Sequence, residues 1–227
     1  KSKSKIREIF NRLPSEPPAD GETFDRIFSD FNEIIMPGIT HWQSPKFFAY
    51  FPANSSIPSL AAEVITAALG VQGMKWETSP AAAELEEKVM NWLRDMIGLP
   101  GTFTGVIQDT ASTSTLASLI NAREVKSGFS INRSGFSGKE KFRVYCSTEA
   151  HSSIEKAVKI AGIGRENLVK IPVKDDFSID TALLEKAIQT DLNAGYEPLC
   201  VVAALGTTGS TAIDSLDEIS HLKKKYG

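Results

Sequence analysis

Short apolar runs alternate with amphipathic helical patterns through the second half of the 227-residue chain. In chain order, the predicted strands cover residues 142–146, 168–173 and 199–205, and the predicted helices cover residues 152–161, 180–192 and 214–225. A strand that is followed by a helix and then by another strand favours a mostly parallel sheet with covering helices. We therefore expect an α/β fold for this part of the chain.

The first part of the chain has helical spacing and no clear strand. Apolar residues recur at helical intervals in four segments, residues 22–36, 57–69, 80–97 and 110–125. Residues 105–107 indicate a short strand or turn, and residues 126–141 indicate a polar loop. We expect a helical N-terminal arm, residues 1–70, and then the first part of a larger domain, residues 71–227. Because a strand should follow the last predicted helix, we expect this domain to continue beyond the chain.

Charge and composition argue against several classes of protein. The net charge is −3 and the pI is about 5.7, and no basic stripe indicates a nucleic-acid interface. The three histidines lie far apart and lack metal-ligand spacing, so we expect no metal site. Cys146 and Cys200 lie in apolar runs, which is typical of free buried thiols in a reducing compartment. With no leader-like segment and no apolar run of about 20 residues, we expect a cytoplasmic protein.

Three polar segments follow apolar runs, at positions where α/β proteins commonly bind ligands. The first segment, residues 105–115, places five hydroxyl side chains at the start of a predicted helix. A helix N-terminus offers unpaired N–H groups and a partial positive charge, and small residues such as Ala111 and Ser112 let a phosphate approach them. The same pattern is also typical of a helix start with several capping side chains and no ligand.

The second segment, residues 148–153, contains His151 at the start of a predicted helix. A histidine at that position can stack on a planar ring or move a proton, although a histidine near a helix start can also lack any chemical role. The third segment, residues 205–210, contains Thr208 between two glycines, and its alternative is an ordinary glycine-containing turn. Because the carboxyl ends of parallel strands meet at one edge of a sheet, we expect the three segments to converge there.

Five phrases in order along the chain resemble the group II pyridoxal phosphate (PLP) decarboxylases: HWQSPKFFAYFP, SPAAAELEEKVMNWL, GVIQDTASTSTLASL, AHSSIEKAVKIAGIG and LGTTGSTAID. Within this group the resemblance is closest to the aromatic-L-amino-acid decarboxylases, and it covers nearly the whole chain from about residue 20. It implies the PLP-dependent transferase-like fold (fold type I), a homodimer, and decarboxylation of an aromatic L-amino acid to its amine and CO₂. It also implies that the N-terminal arm packs on the dimer partner and lines the substrate pocket.

The resemblance further implies roles for individual residues. Ala111 and Ser112 match the positions that bind the cofactor phosphate, and Thr208 matches a threonine that lies against the cofactor. His151 matches the histidine that stacks on the pyridine ring, and it is the expected catalytic residue. The expected substrate-binding residues are Trp42, Tyr50, Phe51, Pro52, Ala53 and Met74. At Gln43, Ala53 and Met74 the sequence departs from residues that are frequent in the family, so the resemblance does not name the substrate.

Two residues that such an enzyme needs are missing from the sequence. The resemblance places the aspartate that faces the pyridine nitrogen and the Schiff-base lysine beyond Gly227. We therefore expect a C-terminal half, as a continuation or as a second chain, without which this chain is inactive. The alternatives are a glutamate-type decarboxylase, an aromatic aldehyde synthase, or a non-catalytic fragment that serves dimerisation or binding. The aromatic residues of the segment 41–52 argue against the first, and His151 argues against the second.

Overall fold

The computed structural model describes residues 4–227, and within them it has nine α-helices and three β-strands. The helices are α1 (Glu8–Arg12), α2 (Phe24–Asp30), α3 (Ile57–Leu69), α4 (Pro80–Met96), α5 (Ala111–Lys126), α6 (Ser130–Ser134), α7 (Ser153–Ile160), α8 (Thr181–Asn193) and α9 (Leu216–Tyr226). The strands are β1 (Phe142–Ser147), β2 (Leu168–Ile171) and β3 (Glu197–Val202). The chain forms two compact units, and the boundary between Ile65 and Thr66 falls inside α3.

The first unit is built from α1, α2 and the aromatic segment that follows them. Helix α2 begins after Thr23, whose hydroxyl accepts the N–H of Arg26. The predicted helix over residues 22–36 is only partly an α-helix, because it becomes a π-helix at Phe31–Ile35 and a 3₁₀ turn at Met36–Gly38. The proline in that last turn lacks an N–H and collides with the carbonyl four residues before it, so the α-helix cannot continue regularly.

The second unit contains a three-stranded parallel sheet in the order β2–β1–β3. In the central strand, Val144 lies opposite Leu168 of β2 and Cys200 of β3. Most side chains of β1 are buried, as a strand covered on both faces requires. The α/β fold class with a parallel sheet, which the alternating pattern predicts, is confirmed. All three strands run in one direction, so the segments that follow them leave the sheet at the same edge.

Helices cover both faces of this sheet. On one face, Phe142 and Val144 pack with Leu119 of α5 and Val158 of α7. On the other face, Tyr145 of β1 and Ile171 of β2 pack with buried residues of α8, and partly buried residues of α9 extend the same cluster. Full burial of a Leu or Val side chain contributes about 1.5–3 kcal/mol, so these two clusters are the main source of stability of the second unit.

Several sequence-based boundaries in the second unit differ from the structure. Residues 105–107 are irregular and form no strand, and a five-residue helix, α6, interrupts the expected loop over residues 126–141. Strand β2 ends at Ile171, because Pro172 follows it and offers no N–H for the ladder. Strand β3 begins at Glu197 and ends at Val202, earlier than predicted, and its pairing with β1 shifts register between Arg143 and Val144.

Both cysteines lie in the sheet as free thiols. Cys200 is opposite Val144 and Cys146 is opposite Val202, so the two cysteines are diagonal neighbours on one face. Strand spacing separates the Cα atoms of such a pair by about 8 Å, which is too far for a disulfide without backbone movement. Burial raises the pKa of each thiol to about 11. Over residues 4–227, no helix combines the length and the apolar character needed to cross a membrane.

Candidate active site

The start of α5 presents backbone and hydroxyl donors that the helix itself does not use. Thr110 caps the helix, and its hydroxyl accepts the N–H of Thr113 at 3.2 Å. Thr115 donates its hydroxyl to the carbonyl of Ala111 at 2.9 Å. The first N–H groups of a helix, here those of Ala111 and Ser112, have no intrahelical acceptor. Ser112 is exposed, and its hydroxyl makes no hydrogen bond within residues 4–227. These free donors form a site suited to an anion.

His151 lies between the end of β1 and the start of α7. Helix α7 begins at Ser153, so His151 precedes the helix rather than opening it. Its imidazole Nδ1 accepts the N–H of Ser153 at 3.2 Å and lies 2.9 Å from the Ser153 hydroxyl. The ring is exposed, and its Nε2 has no hydrogen-bond partner in the described part of the chain. The backbone of α7 therefore orients this ring at the carboxyl edge of the sheet.

The segment after β3 forms a tight loop, residues 205–213, that is closed by an antiparallel bridge between Leu205 and Ile213. We call it the Thr208 loop. Thr207 is buried inside this loop, where its hydroxyl accepts the N–H of Ala212 at 3.1 Å and bonds the Ser210 hydroxyl at 2.6 Å. The neighbouring Thr208 is half-buried, and its side chain makes no hydrogen bond within the described residues. Thr207 thus supports the loop internally and leaves the hydroxyl of Thr208 available.

A buried aspartate at the base of this loop is a supporting residue that sequence reasoning missed. The side chain of Asp214 is 1% exposed, and its two oxygens accept the N–H of Ala204 at 2.7 Å and the N–H of Ile179 at 2.8 Å. It therefore fixes the chain where β3 ends and links this point to the segment before α8. A signal is present in the sequence, since an aspartate follows the phrase LGTTGSTAI, but an aspartate just before a predicted helix is equally typical of a helix cap.

The predicted segments meet at the carboxyl edge of the sheet. The carboxylate of Glu149, after β1, lies 3.9 Å from the point where a Cβ on Gly209, after β3, would be. The first half of α5 also lies against the end of β3, since a cavity of about 330 Å³ is lined by residues such as Ser114 of α5 and Val202 of β3. Ala111, Ser112, His151 and Thr208 therefore belong to three segments that approach one edge of one sheet.

The aromatic segment of the first unit has its own ordered geometry. The Trp42 ring stacks on Phe47 with a centroid distance of 4.9 Å and on Tyr50 with a centroid distance of 5.5 Å. Gln43 donates its amide to the carbonyl of Ala53, which closes the segment into a loop. Tyr50 has a φ of 60°, an uncommon backbone conformation for a non-glycine residue. This loop borders a cavity of about 670 Å³.

The other residues predicted to bind substrate are accessible. Phe51, Pro52 and Ala53 follow Tyr50 in the first unit and are exposed. Met74 lies in the second unit, and its side chain is 77% exposed. Exposed apolar groups of this size are available for contact with a ligand or with another surface.

Comparison with known proteins identifies the family. Residues 7–227 match the pyridoxal-dependent decarboxylase conserved domain, and the chain belongs to this family. It is 44% identical over 220 residues to histidine decarboxylase from Drosophila melanogaster, a match that covers 91% of this chain and 26% of that protein. It is 40% identical over 223 residues to phenylacetaldehyde synthase from Petunia hybrida, a match that covers 95% of this chain and 43% of that protein.

A solved structure gives the same result for the fold. The structure of tryptophan decarboxylase from Catharanthus roseus, in complex with L-tryptophan, matches this chain with a TM-score of 0.92 and 38% sequence identity. The match covers 100% of this chain and 49% of the tryptophan decarboxylase chain. The chain therefore spans less than half the length of these relatives. The expected membership of the PLP decarboxylases and the expected fold are both confirmed. The relatives differ in substrate and in product, so family membership alone does not select an aromatic amino acid.

The donor set at the sheet edge fits the chemical parts of PLP. The free N–H groups and the hydroxyl at Ala111 and Ser112 match the needs of a phosphate group. The exposed imidazole of His151 offers a flat surface to a planar ring, and Thr208 offers a hydroxyl at the same edge. No lysine is needed to neutralise the phosphate in such a site, because a helix N-terminus supplies donors and partial positive charge.

Proposed function

We propose that the full protein containing this chain decarboxylates an aromatic L-amino acid to its amine and CO₂ with PLP. The observation that carries the proposal is the convergence of the α5 start, His151 and the Thr208 loop at the carboxyl edge of one parallel sheet. Family membership supports the use of PLP and decarboxylation chemistry. The stacked rings of Trp42, Phe47 and Tyr50 support an aromatic substrate, because such rings offer flat apolar surfaces.

Each predicted site residue has a proposed task. When bound, PLP supplies the sink for the electrons that remain when the carboxylate leaves as CO₂. Ala111 and Ser112 would hold the phosphate through their N–H groups and the serine hydroxyl. His151 would lie against the pyridine ring and present its Nε2 to the reacting groups. Thr208, in the loop after β3, would contact the cofactor and limit its movement.

The arm, residues 1–70, is proposed to pack on the partner subunit in a homodimer. There it would line the substrate pocket with Trp42, Tyr50, Phe51, Pro52 and Ala53. Apolar side chains of this arm are strongly exposed, including Phe24, Ile27, Phe28, Phe48, Ile57 and Leu60. Large exposed apolar surface of this kind is typical of an interface, because its burial contributes about 25 cal/mol per Å². Met74 is proposed to contribute to the same pocket.

The remaining parts of the proposal concern the rest of the protein and its compartment. A C-terminal half would supply the Schiff-base lysine and the pyridine-facing aspartate, and this proposal is supported by the length of the relatives. Location in the cytoplasm is supported by the two free thiols in the sheet, since a reducing compartment keeps thiols reduced.

Product analysis of the full-length protein loaded with PLP tests the proposed reaction. Tryptophan, tyrosine, phenylalanine, dopa, histidine and glutamate are supplied separately, and CO₂, amine, aldehyde and oxygen consumption are measured. We expect one amine per CO₂ from an aromatic substrate, no oxygen consumption, and loss of turnover in His151→Ala. Release of CO₂ from glutamate alone, or from none of the six, would contradict the proposal.

An aldehyde synthase is the second candidate, and the identity of 40% to phenylacetaldehyde synthase favours it. That activity would convert the same aromatic substrates, with O₂ and water, to an aldehyde, CO₂ and ammonia, and the O₂ would be reduced to hydrogen peroxide. The same assay therefore separates the two reactions, because the decarboxylase produces an amine and consumes no oxygen.

A further inference from the structure

The hydrogen bonds of His151 determine which of its ring nitrogens can carry the proton. Its Nδ1 lies 3.2 Å from the backbone nitrogen of Ser153, and the N–H at that position can only donate. Nδ1 must therefore act as the acceptor, and a neutral imidazole then carries its proton on Nε2. The Ser153 hydroxyl, 2.9 Å from Nδ1, can only add a second donor to an acceptor nitrogen.

The surrounding structure favours this arrangement. Ser152 occupies the N-cap position of α7, but it is exposed and its side chain makes no capping hydrogen bond. The imidazole of His151 caps the helix instead, because it accepts a first-turn N–H that has no intrahelical acceptor. Ser153 is only 7% exposed, so its hydroxyl is confined near the Nδ1 of His151. Nε2, in contrast, faces no partner within the described residues.

We propose that Ser153 is a positioning residue that holds His151 with its proton on Nε2, so that a hydrogen-bond donor faces the reacting groups. The catalytic meaning of this inference rests on the proposed function. The wrong tautomer of a catalytic histidine points a lone pair where a proton is needed, even when the ring has not moved. Ser153 thus acts on the reaction through His151 and not through contact with substrate or cofactor.

Three variants of the PLP-loaded full-length protein test this role. Ser153→Ala removes the hydroxyl and keeps the backbone N–H, and Ser153→Thr retains a hydroxyl. Ser152→Ala is the matched control, because this neighbouring serine makes no capping bond. The protein is labelled with ¹⁵N-histidine, and the resonances of His151 are assigned by their loss in His151→Asn.

In the unmodified protein we expect a pyridine-like ¹⁵N resonance for Nδ1 and a pyrrole-like resonance for Nε2. Ser153→Ala should move the ¹⁵N shift of Nδ1 towards that of an imidazole nitrogen that accepts no hydrogen bond. It should also lower kcat about fivefold with little change in KM, as the loss of one hydrogen bond predicts. Ser153→Thr should restore both values, and Ser152→Ala should leave both unchanged.

Two results would overturn the inference: a proton on Nδ1 in the unmodified protein, or effects of Ser152→Ala as large as those of Ser153→Ala. The failure of the proposed function would be recognised separately. If no amino acid releases CO₂, the spectra still decide whether the proton lies on Nε2 and whether Nδ1 accepts hydrogen bonds from Ser153, because the resonances of His151 do not depend on turnover.

Discussion

Asp214 shows how a single buried carboxylate supports the candidate site. Its two oxygens accept one N–H from the end of the β3 segment, at Ala204, and one from the segment before α8, at Ile179. A carboxylate accepts both bonds, whereas an amide would turn one donor towards one of these N–H groups. The position of the Thr208 loop therefore depends on a residue that is itself buried.

We predict that Asp214→Asn lowers the free energy of unfolding of the full-length protein by about 1–3 kcal/mol, because one buried N–H loses its acceptor. It should also weaken PLP binding, since the Thr208 loop is less firmly held. Urea unfolding and a PLP titration measure the two effects. Asp217→Asn is the control, because Asp217 is exposed in the first turn of α9. Equal stability of the two variants would contradict this role for Asp214.

The two sheet cysteines predict a loss of stability at alkaline pH. Burial raises the pKa of Cys146 and Cys200 from 9.0 to about 11 in the folded protein. Between these values the unfolded chain releases protons that the folded chain retains, so stability is present below pH 9 and is lost as the pH rises towards 11. Urea unfolding between pH 8 and 11 should show a shallower decline for the double variant Cys146→Ala/Cys200→Ala. Equal declines in the two proteins would contradict the raised pKa values.

Individual site residues differ in how far the sequence could reveal them. Ser112, His151 and Thr208 each follow a predicted strand or turn, so the local pattern and the resemblance together indicate them as proposed site residues. The role of Asp214 could not be predicted in this way, because its partners lie 10 and 35 residues away in the chain. The sheet order β2–β1–β3 brings the segment after β2, which contains Ile179, near the segment after β3, which contains Asp214.

At the scale of elements, α6 shows where local patterns fail. Its five residues have little helical tendency of their own, and helices of this length are not stable in isolation. Tertiary contacts stabilise this helix, because Ile131 is buried in the core cluster and the carboxylate of Glu124 accepts the N–H of Asn132 at 2.8 Å. The longer elements α5, α7, α8 and α9 were predictable within a few residues, because their apolar faces repeat at helical spacing.

We predict that Glu124→Gln destabilises the fold by about 1.5–3 kcal/mol, because Glu124 is buried and forms a charged pair with Arg123 at 2.6 Å. The segment around α6 should then exchange amide hydrogens faster, and trypsin should cleave sooner after Arg133. Glu140→Gln is the control, since Glu140 bonds only nearby groups of its own loop. Unchanged cleavage and exchange in Glu124→Gln would show that this pair does not anchor α6.

The two units of the chain differ in how much apolar surface each buries within itself. The second unit buries two apolar clusters on its sheet, while no helix of the first unit buries any residue within residues 4–65. The proposed homodimer and C-terminal half would cover much of this exposed surface. The sequence pattern predicts the α/β unit well, because its core forms within one stretch of chain. For the arm, residues 1–70, we propose that the covering surfaces lie outside this chain.

We propose that the start of α5 holds the phosphate of PLP at the carboxyl edge of the sheet. The most direct test is a visible-absorbance titration of the cofactor-free full-length protein with PLP, compared with Ser112→Glu and Asn121→Glu. Both residues are exposed on α5, but Asn121 lies further along the helix. We predict that Ser112→Glu weakens PLP binding about tenfold or more through repulsion of the phosphate, and that Asn121→Glu does not. Equal affinity of the two variants would contradict the proposed phosphate site.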